Sequence, residues 1–102
     1  MLLSLRLDNR AEADLLSLPN WIGAQADPET ARAYIVRMRT RCLRLLDNPR
    51  GGRVRRKGRP PIRSVPLERS ATILCRAGRS EVVVLRVIPR GRDVDALVRH
   101  PR

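Results

Sequence analysis

The run EVVVLRVI at residues 81–88 constrains the fold most, because it is almost continuously apolar. A strand at the protein surface alternates between apolar and polar positions, whereas a strand that is apolar on both faces needs cover on both sides. The run therefore predicts a central strand of a covered sheet. Pro89 follows directly and is expected to end the strand, since proline has no N–H for the ladder.

The segment around residue 35 predicts a helix over residues 28–47. Asp27 is a typical N-cap, Pro28 suits the first helical position, and the charge of Glu29 favours the positive helix start. Apolar side chains recur at helical spacing, at Ala31, Tyr34, Ile35, Met38, Cys42, Leu45 and Leu46. Three basic residues fall on the opposite side, namely Arg37, Arg41 and Arg44. Tyr34 is expected to be structural, as part of the apolar stripe.

An earlier helix is predicted over residues 9–24. Asn9 is the expected cap, with Glu12 as its capping-box partner three residues later. Pro19 is expected to kink or break this helix. Trp21 is expected to be structural, wedged between the two helices. The gap before Asp27 is short, which favours an antiparallel helical hairpin.

The remaining elements predict a sheet. The leucines of LLSLRL alternate with polar residues, as in a strand with one buried face. The predicted strands are residues 2–7, 62–67, 71–77 and 81–88, and a helical tail follows at residues 92–98. A Gly- and Pro-rich connecting loop is expected at residues 48–61. The chain of 102 residues is thus expected to be a single α+β domain, with the helical hairpin on one face of a mainly antiparallel sheet.

The charge balance predicts an acidic partner. Lysine and arginine number 22 against 10 acidic residues, which gives a net charge of +12, and only Lys57 is a lysine. Arginine presents a planar fork that suits phosphate and carboxylate, so the partner is a nucleic acid or an acidic protein. The codon bias of a GC-rich genome is the other explanation for the arginine excess. Residues 48–63 alone carry seven basic side chains and no acidic one.

Other classes of protein are disfavoured. Trp21 and Tyr34 are the only aromatic residues, too few for a module that stacks bases. Cys42 and Cys75 lack the spacing of zinc ligands, so each is expected to be a small buried apolar residue, and no metal or cofactor is expected. No apolar run approaches the length of a membrane span, and the first residues do not look like a signal peptide. A cytoplasmic location is therefore expected.

Several phrases resemble the RelE/ParE superfamily of toxins from bacterial type II toxin–antitoxin systems, and the ParE branch is the more similar. They occur in the same order over nearly the whole chain. The similar phrases are AEADLLSL (11–18), WI (21–22), DPETARAY (27–34), RCLRLLDNPRGGR (41–53), IRSVPLER (62–69) and EVVVLRVIPRGRDVDALV (81–98).

The resemblance implies a small toxin that is held inactive by a co-expressed antitoxin, usually an acidic protein with a DNA-binding end. ParE-type members act on DNA gyrase and stabilise its cleaved-DNA intermediate. RelE-type members cut mRNA in the ribosomal A site, with basic residues and a C-terminal tyrosine. If this chain were RelE-like, its catalytic candidates would be Arg63, Arg69 and Arg92.

The residues favour inhibition of DNA gyrase over cleavage of mRNA. RNA cleavage without a metal needs a base and an acid, and arginine is a poor base at neutral pH. The RelE tyrosine position is occupied by Val98, and His100 lies third from the end. We therefore expect a gyrase inhibitor rather than an enzyme. The alternatives are a ribosome-dependent mRNA endonuclease, and a non-toxic nucleic-acid-binding module or inactive remnant.

Binding residues follow from charge and position. Candidates for contacts with the target or with phosphate are Arg53, Arg55, Arg56, Lys57, Arg59, Arg86, Arg90 and Arg92. Candidates for antitoxin contacts are Arg37, Arg41 and Arg44. Arg86 interrupts an apolar strand, so it is expected to have a partner or to line an open face of the sheet. Asp93 is expected to be structural, paired with an arginine to fix the tail. The basic stretch could contact DNA, receive acidic antitoxin side chains, or only aid solubility.

Overall fold

The computed structural model describes residues 3–22 and 27–99, with residues 21 and 22 described by their backbone alone. The elements in chain order are β1 (Ser4–Leu7), α1 (Asn9–Ile22), α2 (Pro28–Cys42), a 3₁₀ turn (Leu43–Leu46), β2 (Arg53–Arg56), β3 (Ile62–Leu67), β4 (Ala71–Ala77), β5 (Glu81–Pro89) and α3 (Val94–Arg99). The sheet has five strands in the order β1-β5-β4-β3-β2. Only the β1–β5 pair is parallel. The predicted α+β class is confirmed.

Helix α2 begins where its cap predicts. Asp27 Oδ1 accepts a hydrogen bond from the backbone N–H of Glu29 at 3.2 Å, and Asp27 Oδ2 accepts one from the Thr30 hydroxyl at 2.9 Å. The predicted helix 28–47 is nevertheless too long, because the α-helix ends at Cys42 and tightens into the 3₁₀ turn. Such tightening satisfies terminal carbonyl groups just before the chain leaves the helix.

Helix α1 begins differently from its prediction. The cap is Asp8 rather than Asn9: the Asp8 carbonyl accepts from Glu12 N at 2.9 Å, and Asp8 Oδ2 accepts from Arg10 N at 3.5 Å. Glu12 is not a capping-box partner, since its carboxylate binds Arg39 of α2 at 2.6 and 2.8 Å. Asp8 N also donates to Val84 O at 2.9 Å, so the residue that caps α1 still pairs with β5 directly after β1 ends.

Pro19 does not end α1, which continues to Ile22. Burial explains this, because Leu15, Leu18 and Pro19 are all buried on the face that α1 turns toward β5. Tertiary packing of an apolar face supplies most of a helix's stability and can outweigh one lost backbone hydrogen bond. The Trp21 side chain and residues 23–26 lie outside the described part of the chain.

The sheet is covered on both faces, as the apolar run at residues 81–88 predicts. The larger core lies between the sheet and the helical hairpin and includes Leu15, Met38, Ile73, Val84 and Val87. The smaller core lies on the opposite face under α3. Its members are Ile62, Leu74, Ile88 and Val98, with Leu85, Val94 and Leu97 packed against them. Tail residues 92 and 93 precede α3, which begins at Val94.

The predicted loop at residues 48–61 contains a strand, so that prediction is wrong. β2 pairs antiparallel with β3, with Arg53 opposite Ser64 and Val54 opposite Arg63. Its sequence RVRR lacks the apolar alternation that signals a strand, because β2 lies at the edge of the sheet and is mostly exposed. Gly52 makes the turn into β2 with a φ of +81°.

The two cysteines are free and buried in the larger core, between the sheet and the helical hairpin. Burial raises the pKa of each thiol to about 11, from the ordinary value of 9.0. At pH 8 we therefore expect iodoacetamide to label Cys42 and Cys75 at least about 100-fold more slowly in the folded protein than in 6 M guanidinium, because the thiolate is the reactive form. Mass spectrometry of quenched samples measures both rates. Fast labelling of the folded protein would contradict the buried placement.

Candidate anion-binding and partner-binding sites

Three arginines meet at one end of the sheet. Arg69 comes from the turn between β3 and β4, whereas Arg90 and Arg92 follow β5. Together they line a cleft of about 410 Å³, called here the arginine cleft, whose other walls are Pro66, Glu68, Ala71, Thr72, Pro89, Gly91 and Val94. A hydrogen bond from Arg90 N to Ser70 O at 2.9 Å joins the two turns. Residues 20 or more positions apart are thereby held at one site.

The arginine cleft is positively charged. Glu68 is the one acidic residue among the described residues that line it, and its carboxylate forms ion pairs with Arg37 and Arg41 of α2. Within residues 3–22 and 27–99, no acidic group lies within ion-pair distance of Arg69 or Arg90. Arginine binds phosphate through paired N–H donors, so this arrangement suits a phosphate group.

The cleft contains two of the three RelE-type candidates. It joins Arg69 and Arg92, but Arg63 lies on β3 beside Cys75 and is not among its lining residues. Val98 is buried in the smaller core, Tyr34 is buried in the larger core, and His100 lies outside the described residues. Among the residues that the structure describes, the ionisable groups that line the cleft are arginines and one ion-paired glutamate. The arginines can hold a phosphate. They cannot act as a general base, because arginine remains protonated near neutral pH.

Five of the eight predicted phosphate contacts fall into two groups, Arg90 and Arg92 in the arginine cleft and Arg56, Lys57 and Arg59 elsewhere. Arg56, Lys57 and Arg59 lie at or near the tip of the β2–β3 hairpin, where β3 begins, and all are exposed. The arginine cleft lies where β3 ends. Because a strand rises about 3.3 Å per residue, the six residues of β3 separate the two groups by roughly 20 Å.

Arg55 differs from its exposed neighbours on β2. Its Nε donates to the Ser64 hydroxyl at 2.8 Å, and its Nη1 donates to Asp95 of α3 at 3.1 Å. The Arg55 side chain therefore connects the edge strand to the C-terminal helix. Asp93 fixes the same helix as a cap, since its Oδ1 accepts from Ala96 N at 3.1 Å. The sequence could not signal the Asp95 contact, because 40 residues separate the two partners.

Arg86 does not line an open face of the sheet. Its guanidinium donates to both carboxylate oxygens of Asp14 on α1, at 2.7 and 3.1 Å, and Asp14 Oδ2 also accepts from Val87 N at 2.9 Å. The hydrogen bond to Asp14 raises the pKa of Arg86 above its ordinary value. β1 pairs with β5 only as far as Val84. Beyond that residue, the Asp14 carboxylate accepts the hydrogen bond from Val87 N that a neighbouring strand would otherwise accept. Asp14 is not among the residues predicted from the sequence, and its signal is an acidic residue between Ala11 and Leu15 on the buried helical face.

The arginines of α2 border a second concavity. This α2–β3 groove of about 290 Å³ lies between the end of α2 and β3. Its apolar floor is formed by Leu45, Val65, Leu67 and Ile73. Arg41, Arg44 and Glu68 stand at its rim. Arg37 lies outside it, with its guanidinium 5.2 Å from the centre of the Tyr34 ring.

The chain is similar in sequence to a known family of toxins and in fold to a chain of a solved toxin–antitoxin system. The family model for the ParE toxin of the type II toxin–antitoxin system parDE matches residues 5–94, so the chain belongs to the ParE toxin family. The chromosomal ParDE system of P. aeruginosa contains a chain of similar structure. The TM-score is 0.69 at 21% identity, over 86% of this chain and 96% of that chain. No curated protein matches the sequence. Within the described residues, no helix is long and apolar enough to span a membrane.

Proposed function

We propose that this ParE-family toxin stops bacterial growth by poisoning DNA gyrase in the cytoplasm, and that a cognate acidic, DNA-binding antitoxin neutralises it in a hetero-oligomer. The family match over residues 5–94 is the observation that carries the proposal. The solved ParDE toxin–antitoxin system with a similar fold supports a protein partner. A chain with a net charge of +12 is suited to an acidic one.

The chemistry of the arginine cleft supports gyrase over RNA cleavage. Its arginines can clamp a phosphate, and the one carboxylate among its described lining residues is bound by Arg37 and Arg41. General acid–base catalysis needs groups that exchange protons near neutral pH. A toxin that stabilises a cleaved-DNA intermediate needs contacts with the enzyme and its DNA, and no proton transfer of its own.

The two basic groups are suited to a nucleic acid already bound to the target. The arginine cleft and the tip of the β2–β3 hairpin lie roughly 20 Å apart, which corresponds to about six base-pair steps of a duplex. Contacts at both ends would position the toxin along the DNA without reading its sequence. Arg55 and Arg86 hold the fold through Asp95 and Asp14, so their contribution would be indirect.

Replacing Arg90 with alanine should weaken binding of a 20-base-pair duplex, because it removes one phosphate contact. We expect about a threefold to tenfold rise in Kd at low salt. The plot of log association constant against log salt concentration should become less steep, by about 1 unit of slope. Fluorescence anisotropy across a salt series measures both. Arg32→Ala is the matched control, since Arg32 is exposed on α2 outside both basic groups. Equal losses in the two variants would show that net charge, rather than the cleft, governs binding.

Expression in cells tests the proposal as a whole. Induction of the toxin should stop growth and produce double-strand breaks, visible by pulsed-field electrophoresis, and co-expression of the antitoxin should prevent both. Growth arrest with intact chromosomes would contradict the gyrase target. Unchanged growth with soluble, folded toxin would contradict toxicity itself and indicate an inactive remnant or a non-toxic binding module.

A ribosome-dependent mRNA endonuclease is the second candidate, and the meeting of Arg69 and Arg92 in one cleft is the observation that favours it. This function requires cuts within translated mRNA that disappear in Arg92→Ala while the fold is retained. Primer extension on a translated message detects such cuts. Cuts from the wild-type protein would establish the nuclease.

A further inference from the structure

Glu68 stands between the two candidate sites. Its side chain lines both the α2–β3 groove and the arginine cleft. Its carboxylate forms ion pairs with Arg37 at 3.4 Å and, more closely, with Arg41. Its backbone has a φ of 53°, in the left-handed region that is rare for residues other than glycine. The turn therefore holds an acidic side chain against α2 in an uncommon backbone conformation.

The α2–β3 groove suits a protein segment better than a nucleic acid. Its floor is apolar, formed by Leu45 with residues of β3 and β4, and a phosphodiester backbone would place its charges against these apolar side chains. Arg41 and Arg44 at the rim favour a carboxylate on the ligand. An amphipathic segment with apolar residues on one side and acidic residues on the other complements both properties.

We propose that Glu68 is an internal placeholder for a carboxylate of this protein partner. An acidic amphipathic segment docks in the α2–β3 groove, and its carboxylate replaces Glu68 on Arg41. That the partner is the antitoxin rests on the proposed function, whereas the exchange at Arg41 rests on the geometry of this chain. Glu68 keeps Arg37 and Arg41 paired in the free protein and competes with the partner for Arg41.

The removal of the placeholder should tighten binding. Glu68→Gln takes away the competing charge, and we expect the Kd of the antitoxin to fall about twofold to fivefold, the range of a partly exposed ion pair. Isothermal titration calorimetry measures it. Glu81→Gln is the matched control, because it removes the same charge at a distant place. Glu81 pairs with Arg6 at the start of β5, whereas Glu68 lies near the end of β5. That variant should change the Kd less than about 1.5-fold.

A second experiment tests the carboxylate exchange at Arg41 without the antitoxin. A synthetic peptide of alternating glutamate and leucine, titrated while the Arg41 Nε–H signal is followed by NMR, should saturate at lower concentration in Glu68→Gln than in the wild type. If the antitoxin does not bind but the peptide behaves in this way, the proposed function loses its partner and the Glu68 inference is supported.

Three results would overturn the inference. The first is an antitoxin Kd in Glu68→Gln equal to that of Glu81→Gln, with both variants melting like the wild type. The second is weaker binding in Glu68→Gln, which would make Glu68 a support for Arg41 rather than a competitor. The third is a shift of the Arg41 signal by duplex DNA but not by the acidic peptide, which would make the groove a nucleic-acid surface.

Discussion

Replacing Asp14 with alanine is expected to lower the free energy of unfolding by about 2–4 kcal/mol, because it leaves the mostly buried charge of Arg86 without a partner. The side chains of Arg86 and Asp14 are only 15% and 18% exposed, so water can replace little of the lost interaction. The Val87 N–H also loses its acceptor. Urea denaturation measures the change, and the melting temperature should fall by at least about 10 °C.

Glu12→Ala provides the comparison on the same helix. Glu12 also binds an arginine through both carboxylate oxygens, but the side chains of that pair are 38% and 44% exposed. Its removal should cost less than about 1 kcal/mol. Adding Arg86→Leu to Asp14→Ala should recover part of the loss, since the unpaired charge is then absent. Equal losses of unfolding free energy in Asp14→Ala and Glu12→Ala would contradict the stabilising contact of Asp14 with Arg86 and Val87 on β5.

Replacing Gly52 with alanine is expected to cost about 2–4 kcal/mol, for two reasons. The residue has a φ of +81°, and an added Cβ would lie 2.4 Å from the Ser64 carbonyl oxygen and 2.8 Å from Val65 Cγ2. The Ser64 oxygen belongs to the backbone of β3, so the chain itself must shift. We expect β2 to separate from β3, which native-state hydrogen exchange would detect as loss of protection at Val54 and Arg56.

Gly91→Ala separates the two causes. Gly91 also has a positive φ, +93°, but an added Cβ would meet no atom within 4 Å. Only the backbone strain remains, so the expected cost is about 1 kcal/mol. A Gly91→Ala variant as unstable as Gly52→Ala would show that the conformation alone, and not the approach to β3, decides the outcome.

The elements that were predicted correctly are those whose local signals agree with their packing. The α2 cap and stripe, and the apolar run of β5, are local features that the fold retains. β2 could not be predicted, because an exposed edge strand needs no apolar alternation and its partner β3 begins six residues later. The start of α1 depended on where β1 stops pairing with β5, which no local pattern records.

The candidate sites were predictable in composition but not in arrangement. Arginine excess signals an anionic ligand, yet the meeting of Arg69 with Arg90 depends on the hydrogen bond that joins two turns. The Arg86–Asp14 pair spans 72 residues, and the sharing of Glu68 by two arginines spans about 30. Contacts over such separations follow from strand order and helix placement.

A gyrase cleavage assay would decide whether the protein poisons DNA gyrase. Purified toxin is incubated with gyrase and supercoiled plasmid, and linear DNA is scored after protein digestion, with the Arg90→Ala and Arg32→Ala variants in parallel. We expect linear DNA to accumulate with the wild-type toxin and with Arg32→Ala, to fall with Arg90→Ala, and to disappear when antitoxin is added. Folded toxin that yields no linear DNA and leaves supercoiling unaffected would contradict the proposal that the protein poisons DNA gyrase.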